Sequence, residues 1–392
     1  MGRPVEGCLS TYPPYIRKRI KELRRDNEGW GAMSILVELK EEYGYFESDI
    51  PSVDSIHRYL KQEGFIKVYE PSGILPTKAC KEVKEAHELW EMDAQGAVQV
   101  EGIGYQSTIN MKDSYSKKYC MSFPVVVKNG KTQPRTIYYK WAFRLAFIES
   151  GLPSMIQVDK DSVFIENTSK SPYPSRLHLW LLALGVDLCF INVRPPLKQA
   201  MVERSHQTIE KQAVKGKSFE DWAALFENMN KRRKRLNENY PSRSLGRKAP
   251  LQAYPEAAHS GRIYDPSKEN LLMDLNRIYD FLAEGMWYRS VSSVRTISLG
   301  GQSYYLKNAT PNSQVQITFD KETKHLIFYD VSTVKGSHRD GDKKMVAQRA
   351  IKGISKETLM EVRQGNTVTD IMAKYNEIMA ATDFPLNPVD DG

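Results

Sequence analysis

No run of about 18 apolar residues occurs anywhere in the 392-residue chain, so no membrane-spanning helix is expected. The opening residues, Met1-Gly2-Arg3-Pro4-Val5-Glu6-Gly7, lack the apolar core of a secretory signal, and a cytoplasmic location is the expectation. Cysteine is scarce. Cys8, Cys80, Cys120 and Cys189 are scattered, with no Cys-x-x-Cys pair, and the seven histidines supply no clustered pair either. A structural zinc site, which needs two such pairs, is therefore excluded, and the cysteines read as free thiols in a reducing compartment. No internal repeat is found, which sets aside solenoids and propellers.

What is present is the composition of a chain that can bury real cores, 41% hydrophobic and 27% charged, with length for roughly two to four domains. The formal net charge of +8 points only weakly to a polyanionic partner. Its distribution says more. Arg17, Lys18, Arg19, Lys21, Arg24 and Arg25 crowd one early segment, and Lys231 to Arg235 form a second block.

Periodicity divides the chain. Residues 1–68 read as three short helices, with Ile16, Ile20 and Leu23 on one stripe of the first and Ser52 able to cap the third. A polar, basic third helix fits a helix-turn-helix DNA reader, with Arg17, Arg24, Arg58 and Lys61 as contacts. An ordinary three-helix bundle with a solvated basic side fits the segment equally well. Residues 69–84 read as a linker, and 85–260 as strands and helices forming a mixed sheet flanked by helices. A connecting helix over 261–288 leads to alternating segments over 289–335 that read as a small β-barrel. A tail, 336–392, holds one helix, about Thr367 to Met379.

Three carboxylates stand at the edges of elements in the α/β region: Asp93 in the first strand, Asp159 at the end of Met155 to Val158, and Glu203 on a helix from about Lys198 to Val214. Carboxylates so placed can hold hard divalent cations for phosphoryl transfer. With 48 acidic residues in the chain, their position alone is a weak signal.

The surrounding motifs are more specific. Trp90-Glu91-Met92-Asp93, Asp113-Ser114-Tyr115-Ser116, Asp159-Lys160-Asp161-Ser162-Val163-Phe164 and Pro195 through Glu203-Arg204-Ser205-His206 occur in that order. Over roughly residues 12 to 335 the chain resembles bacterial insertion-sequence transposases with a retroviral-integrase-type catalytic core. The resemblance implies an RNase H-like fold for the core and catalytic, metal-binding roles for Asp93, Asp159 and Glu203. It further implies two Mg²⁺ or Mn²⁺ ions per site, double-stranded DNA (element ends and target) as partner, and a homo-multimer on DNA. A catalytically silent DNA-binding regulator or scaffold is the alternative, and a nuclease that does not join is a third reading.

Three features depart from the family pattern. Lys160 and Asp161 stand where Asn and Gly are usual, the gap from Asp159 to Glu203 is long, and only one helix-turn-helix unit is visible. Glu91 is a local rival to Asp93 on the same strand face, and Asp161 could assist metal binding against a role as a solvated turn residue. Glu210 reads as a surface or ion-pair residue and His206 as a packing residue. Lys198, Arg204, Lys211, Arg232, Arg233 and Arg235 are expected phosphate contacts. The tail could recruit an accessory protein.

Overall fold

The computed structural model describes residues 8–27, 30–43, 50–65, 72–80, 82–127, 134–166, 170–191, 206–331 and 344–361. The chain divides into two compact units at residue 71. In the first unit, α1 (Pro14–Asp26), α2 (Ala32–Tyr43) and α3 (Val53–Gln62) surround a small core. Ile16, Ile20 and Leu23 recur at helical spacing and meet Ile35, Leu39, Ile56 and Leu60 there. Ser52 caps α3 by accepting from the Ser55 amide at 3.3 Å, and Gly64 at φ +76° follows its end.

The second unit is built on a five-stranded sheet ordered β3-β2-β1-β4-β7. β1 (Leu89–Val100), β2 (Gly104–Asp113) and β3 (Tyr119–Val126) form an antiparallel meander. β4 (Met155–Val158) joins β1 in parallel and β7 (Asp187–Phe190) joins β4 in parallel. A two-stranded ribbon of β5 (Ile165–Glu166) and β6 (Tyr173–Pro174) lies between them in sequence. One sheet face is apolar: Trp90, Met92, Ile109, Met111, Phe123 and Val125 pack with α4 (Thr136–Ser150) and α5 (Arg176–Ala183), through Phe143, Phe147 and Trp180. The other face carries Glu91, Asp93, Asn110, Lys112 and Ser122, because alternate residues of a strand share a side. Such a mixed sheet flanked by helices is the expected core architecture and is consistent with an RNase H-like integrase core.

The helix expected over Lys198 to Val214 is described only from His206, and its last turn, Glu210–Val214, is a π-turn. α6 (Trp222–Glu238) runs beside β3, with Trp222 and Phe226 against Phe123. Its cap is Asp221, accepting from the Ala224 amide at 2.8 Å.

The connecting helix is broken in two. Asp274 accepts from the Asn276 amide and so starts α7 (Leu275–Ala283) afresh after a short turn at Glu269–Leu272. Where a small β-barrel was expected, no closed barrel is found among the described residues. β8 (Trp287–Ser290), β11 (Gln314–Asp320), β12 (His325–Asp330) and β13 (Lys344–Ala350) form an open antiparallel sheet ordered β13-β12-β11-β8. β9 (Thr296–Leu299) and β10 (Gln302–Tyr305) pair only with each other among the described residues, across Gly300-Gly301, both at positive φ. Closure is not needed to hide this sheet's apolar face. Val315, Ile317, Phe319 and Phe328 join the same core as α4 and α5, and Tyr279 of α7 stacks on Phe319 at 5.8 Å. β13 and α8 (Lys356–Met360) lie where the sequence suggested a tail, whereas the helix expected at Thr367 to Met379 is outside the described residues.

A second correction concerns the thiols. Cys80 and Cys189 are joined by a disulfide, Cα to Cα 5.5 Å, which ties the segment preceding β1 to the edge strand β7. Cys8 and Cys120 are free, and burial pushes the Cys120 thiol up to about 12. Among the described residues no helix is long and apolar enough to cross a membrane.

Candidate active site

β1 and β4 are paired in parallel up to Glu91 opposite Gln157. Asp93 and Asp159 each stand two residues beyond that last pair, so two neighbouring strands deliver one carboxylate each to the same end of the sheet. Asp93 Oδ1 accepts from the Ala94 amide at 2.9 Å, and Oδ2 lies 3.2 Å from His206 Nε2. Asp159 follows the end of β4 and feels both Asp161 and Asp93. Partial enclosure of its carboxylate, then these two like charges, push Asp159 up to about 6, although the residue as a whole is exposed; its own amide and that of Asp161 offset part of the shift. Tyr139 of α4 is buried, and its phenol is pushed well above the usual range by burial and then by Asp161, Asp159 and Asp93.

Asp161 closes the turn after β4. Its Oδ1 accepts from the Val163 amide and the Ser162 hydroxyl, each at 3.0 Å, while its carbonyl accepts from Phe164 and Ile165. The turn with unusual Lys160-Asp161 chemistry is thus held by an aspartate side chain acting locally. Negative charge from Asp93, Asp159 and Asp161 gathers at one sheet end, an environment that a hard divalent cation would relieve, and carboxylate oxygens are its preferred donors. Among the described residues no three His, Cys, Asp or Glu side chains are close enough together to hold an ion. Glu203, with Lys198 and Arg204, lies outside the described residues.

The rivals have other employment. Glu91 is buried and accepts from Ser114 Oγ at 2.9 Å, and burial raises its carboxyl above the usual range. Glu210 accepts from Gln95 Nε2 at 2.8 Å, which ties the π-turn to β1. His206 is buried, but it does more than pack: it links Asp93 to Asn110, whose Nδ2 lies 2.6 Å from His206 Nδ1.

The expected DNA contacts divide. Arg58, Lys61, Lys211 and Arg235 are exposed. Arg17, with Lys18 and Lys21, lines a cleft of about 400 Å³ in the first unit. Arg24 is half-buried and donates to the carbonyls of Trp30 and Phe65 at 2.8 and 3.1 Å, so it braces the three-helix unit. Arg232 donates to Gln212 and sits over the Tyr240 ring. Arg233 is a correction. It is fully buried, donates to the carbonyls of Tyr119 and Cys120 at 3.0 and 3.2 Å, and pairs with Glu149, so no phosphate can reach it.

No protein-family model matches the chain. Among solved structures it is similar to the HTLV-2 integrase catalytic core domain in complex with magnesium in its trimeric form. The identity there is 14%, with a TM-score of 0.31, covering 43% of this chain and 96% of that one. It is similar to the catalytic core domain of BIV integrase at 14% identity and a TM-score of 0.30, covering 44% and 95%. A simian T-cell lymphotropic virus intasome in complex with PP2A regulatory subunit B56 gamma matches at 9% identity and a TM-score of 0.35, covering 85% and 99%.

Proposed function

We propose that this chain is a DNA-cutting and DNA-joining transposase/integrase that works with Asp93, Asp159 and Glu203 and with two Mg²⁺ or Mn²⁺ ions. The observation that carries the reading is the delivery of Asp93 and Asp159 to one end of adjacent parallel strands, where burial first, and then the charges of Asp161 and Asp93, push Asp159 up to about 6. When bound, the ions would supply Lewis-acid stabilisation of the attacking and leaving oxygens of an in-line displacement. Asp93 and Asp159 would hold them from the sheet, with Glu203 as the third ligand.

In the first reaction water attacks a backbone phosphorus and the P–O bond to the 3′ oxygen breaks, leaving a free 3′-hydroxyl. In the second, that hydroxyl attacks a target phosphorus, the bond from that phosphorus to the target's own 3′ oxygen breaks, and the proton lost by the attacking hydroxyl is balanced by protonation of the departing 3′ oxygen. The three-helix unit reads element ends as a helix-turn-helix, with Arg58 and Lys61 on the exposed side of α3. Lys211 and Arg235 hold phosphates near the core. Two DNA ends must meet for joining, which calls for a multimer.

Asp93→Asn, Asp159→Asn and Glu203→Gln are each expected to abolish cleavage and strand transfer, measured with Mn²⁺ and pre-cut element ends, while DNA binding persists. Retained strand transfer in any one of them would remove that residue from the centre. Binding with no product from the native chain would favour the silent regulator instead.

A further inference from the structure

Three strands place a polar row under the helical segment that includes His206: Asp93 stands opposite Asn110, and Asn110 opposite Ser122. Asn110 and Ser122 are buried on the polar face of the sheet, a placement that costs free energy unless the groups are hydrogen-bonded. Such bonding is visible at one end of the row. Asn110 Nδ2 lies 2.6 Å from His206 Nδ1, and His206 Nε2 lies 3.2 Å from Asp93 Oδ2.

We infer that His206 is a positioning residue that fixes the Asp93 carboxylate for metal binding, and that Asn110 in turn fixes His206. This rests on the reading of Asp93 as a metal ligand. As the amide is oriented, its N–H donates to Nδ1, which keeps the ring proton on Nε2, where it donates to Asp93. A ring N–H so placed orients the carboxylate through a hydrogen bond. The contact engages Oδ2, while the Ala94 amide engages Oδ1, so both oxygens are aimed and each keeps a lone pair free. A carboxylate held in one rotamer loses less conformational freedom when an ion arrives, and hydrogen-bonded partners of ligands commonly change affinity by about 10–100-fold when removed. Burial of His206 excludes water that would otherwise compete for the Asp93 contact.

The two ring contacts can be separated by substitution. Glutamine places an amide nitrogen where His206 has Nε2, so His206→Gln keeps the Asp93 contact. Asparagine reaches only to the position of Nδ1, so His206→Asn keeps the Asn110 contact and loses Asp93. The probe is Mn²⁺ alone, titrated into the full-length protein and followed by the electron spin resonance of the free ion. The metal concentration for half-maximal strand transfer is a second readout.

His206→Asn and His206→Ala are expected to weaken Mn²⁺ binding about 10-fold or more, and His206→Gln by no more than about 3-fold. All three should melt within a few degrees of one another. Wild-type Mn²⁺ affinity in His206→Asn, beside an Asp93→Asn control that has lost it, overturns the inference. So does a His206→Gln variant as weak as His206→Asn, since both would then report packing. If Asp93→Asn itself binds Mn²⁺ like the native chain, the metal-centre reading falls along with the inference. Should His206→Ala fail to fold, the Gln-against-Asn contrast decides alone.

Discussion

Arg233 lies in a run of five cations, Lys231 to Arg235, and its neighbours show how differently identical charges can be spent. Lys231, Lys234 and Arg235 are exposed, whereas Arg233 is fully buried against two β3 carbonyls and Glu149. The signal for this was present in the helical stripe: Trp222, Phe226, Met229, Arg233 and Leu236 recur on one side of α6, and all are buried. Removing the Arg233 donors leaves the buried carbonyls of Tyr119 and Cys120 without them, at about 1–3 kcal/mol for a group left unsatisfied, while Glu149 stays exposed to water. Arg233→Met is therefore expected to lower the free energy of urea unfolding by about that amount, and the midpoint with it. Arg235→Ala should leave the midpoint unchanged and reduce the slope of log affinity for DNA against log salt by about one. Equal effects of the two variants on stability would contradict the assignment. At the same scale, Asp93 and Asp159 were legible as acids at strand ends within ordered motifs. The role of His206 was not, because its partners stand 113 and 96 positions earlier and only the fold brings them together.

At the scale of elements, period and punctuation carried β1 to β4, α4 and α5, since each is long or apolar enough to declare its face. They could not say whether alternating strands close on themselves. An open sheet and a barrel share the same alternation, and here β9 and β10 lend Ile297, Leu299 and Tyr304 to the apolar cluster, Tyr304 against Phe328 at 6.0 Å, without pairing to the four-stranded sheet among the described residues. β13 escaped notice because Lys344–Ala350 carries only Met345, Val346 and two alanines as apolar residues and depends on β12 for its register. The strap before β1 is a further element decided by tertiary contact. Lys78 pairs with Asp187 at the start of β7, and Cys80 is bonded to Cys189 near its end, across a sequence separation of 109. Loops of such length give disulfides their larger entropic effect, typically about 2–4 kcal/mol overall. Cys80→Ser, or a dithiol reductant added to the native chain, is expected to lower the melting temperature by several degrees, and the reductant should do nothing further to the variant. An unchanged melting temperature on full reduction, verified by thiol counting, would show that the bond is structurally idle.

For the whole molecule, what unites the five-stranded sheet and the C-terminal sheet is one continuous hydrophobic cluster running from Trp90 to Met360. Its last contribution comes from α8, which returns to α4. Lys140 Nζ donates to the Leu359 carbonyl at 2.6 Å and pairs with Glu361, and Arg144 donates to the Met360 carbonyl at 3.4 Å. Arg144 is itself held by a bidentate pair with Glu269, to which Trp180 and Tyr264 also donate. Burial pushes Lys140 down to about 8, with Glu361 offsetting part of that shift, so its cation is accommodated at a cost that α8 reduces. A chain ending at Gly353 would lose the buried Leu359 and Met360, worth about 1.5–3 kcal/mol each, and strip Lys140 of its carbonyl and carboxylate. A chain ending at Glu361 would keep all of these contacts. Because one cluster spans the unit, the chain ending at Gly353 is expected to melt several degrees lower than the chain ending at Glu361, in a single calorimetric transition of the core. A separate low-temperature transition for the C-terminal sheet would instead mean that it folds on its own account. Lys140→Met discriminates further: by removing the stranded charge it should recover part of the loss in the chain ending at Gly353, and a variant that recovers nothing would place the effect of α8 in apolar burial alone.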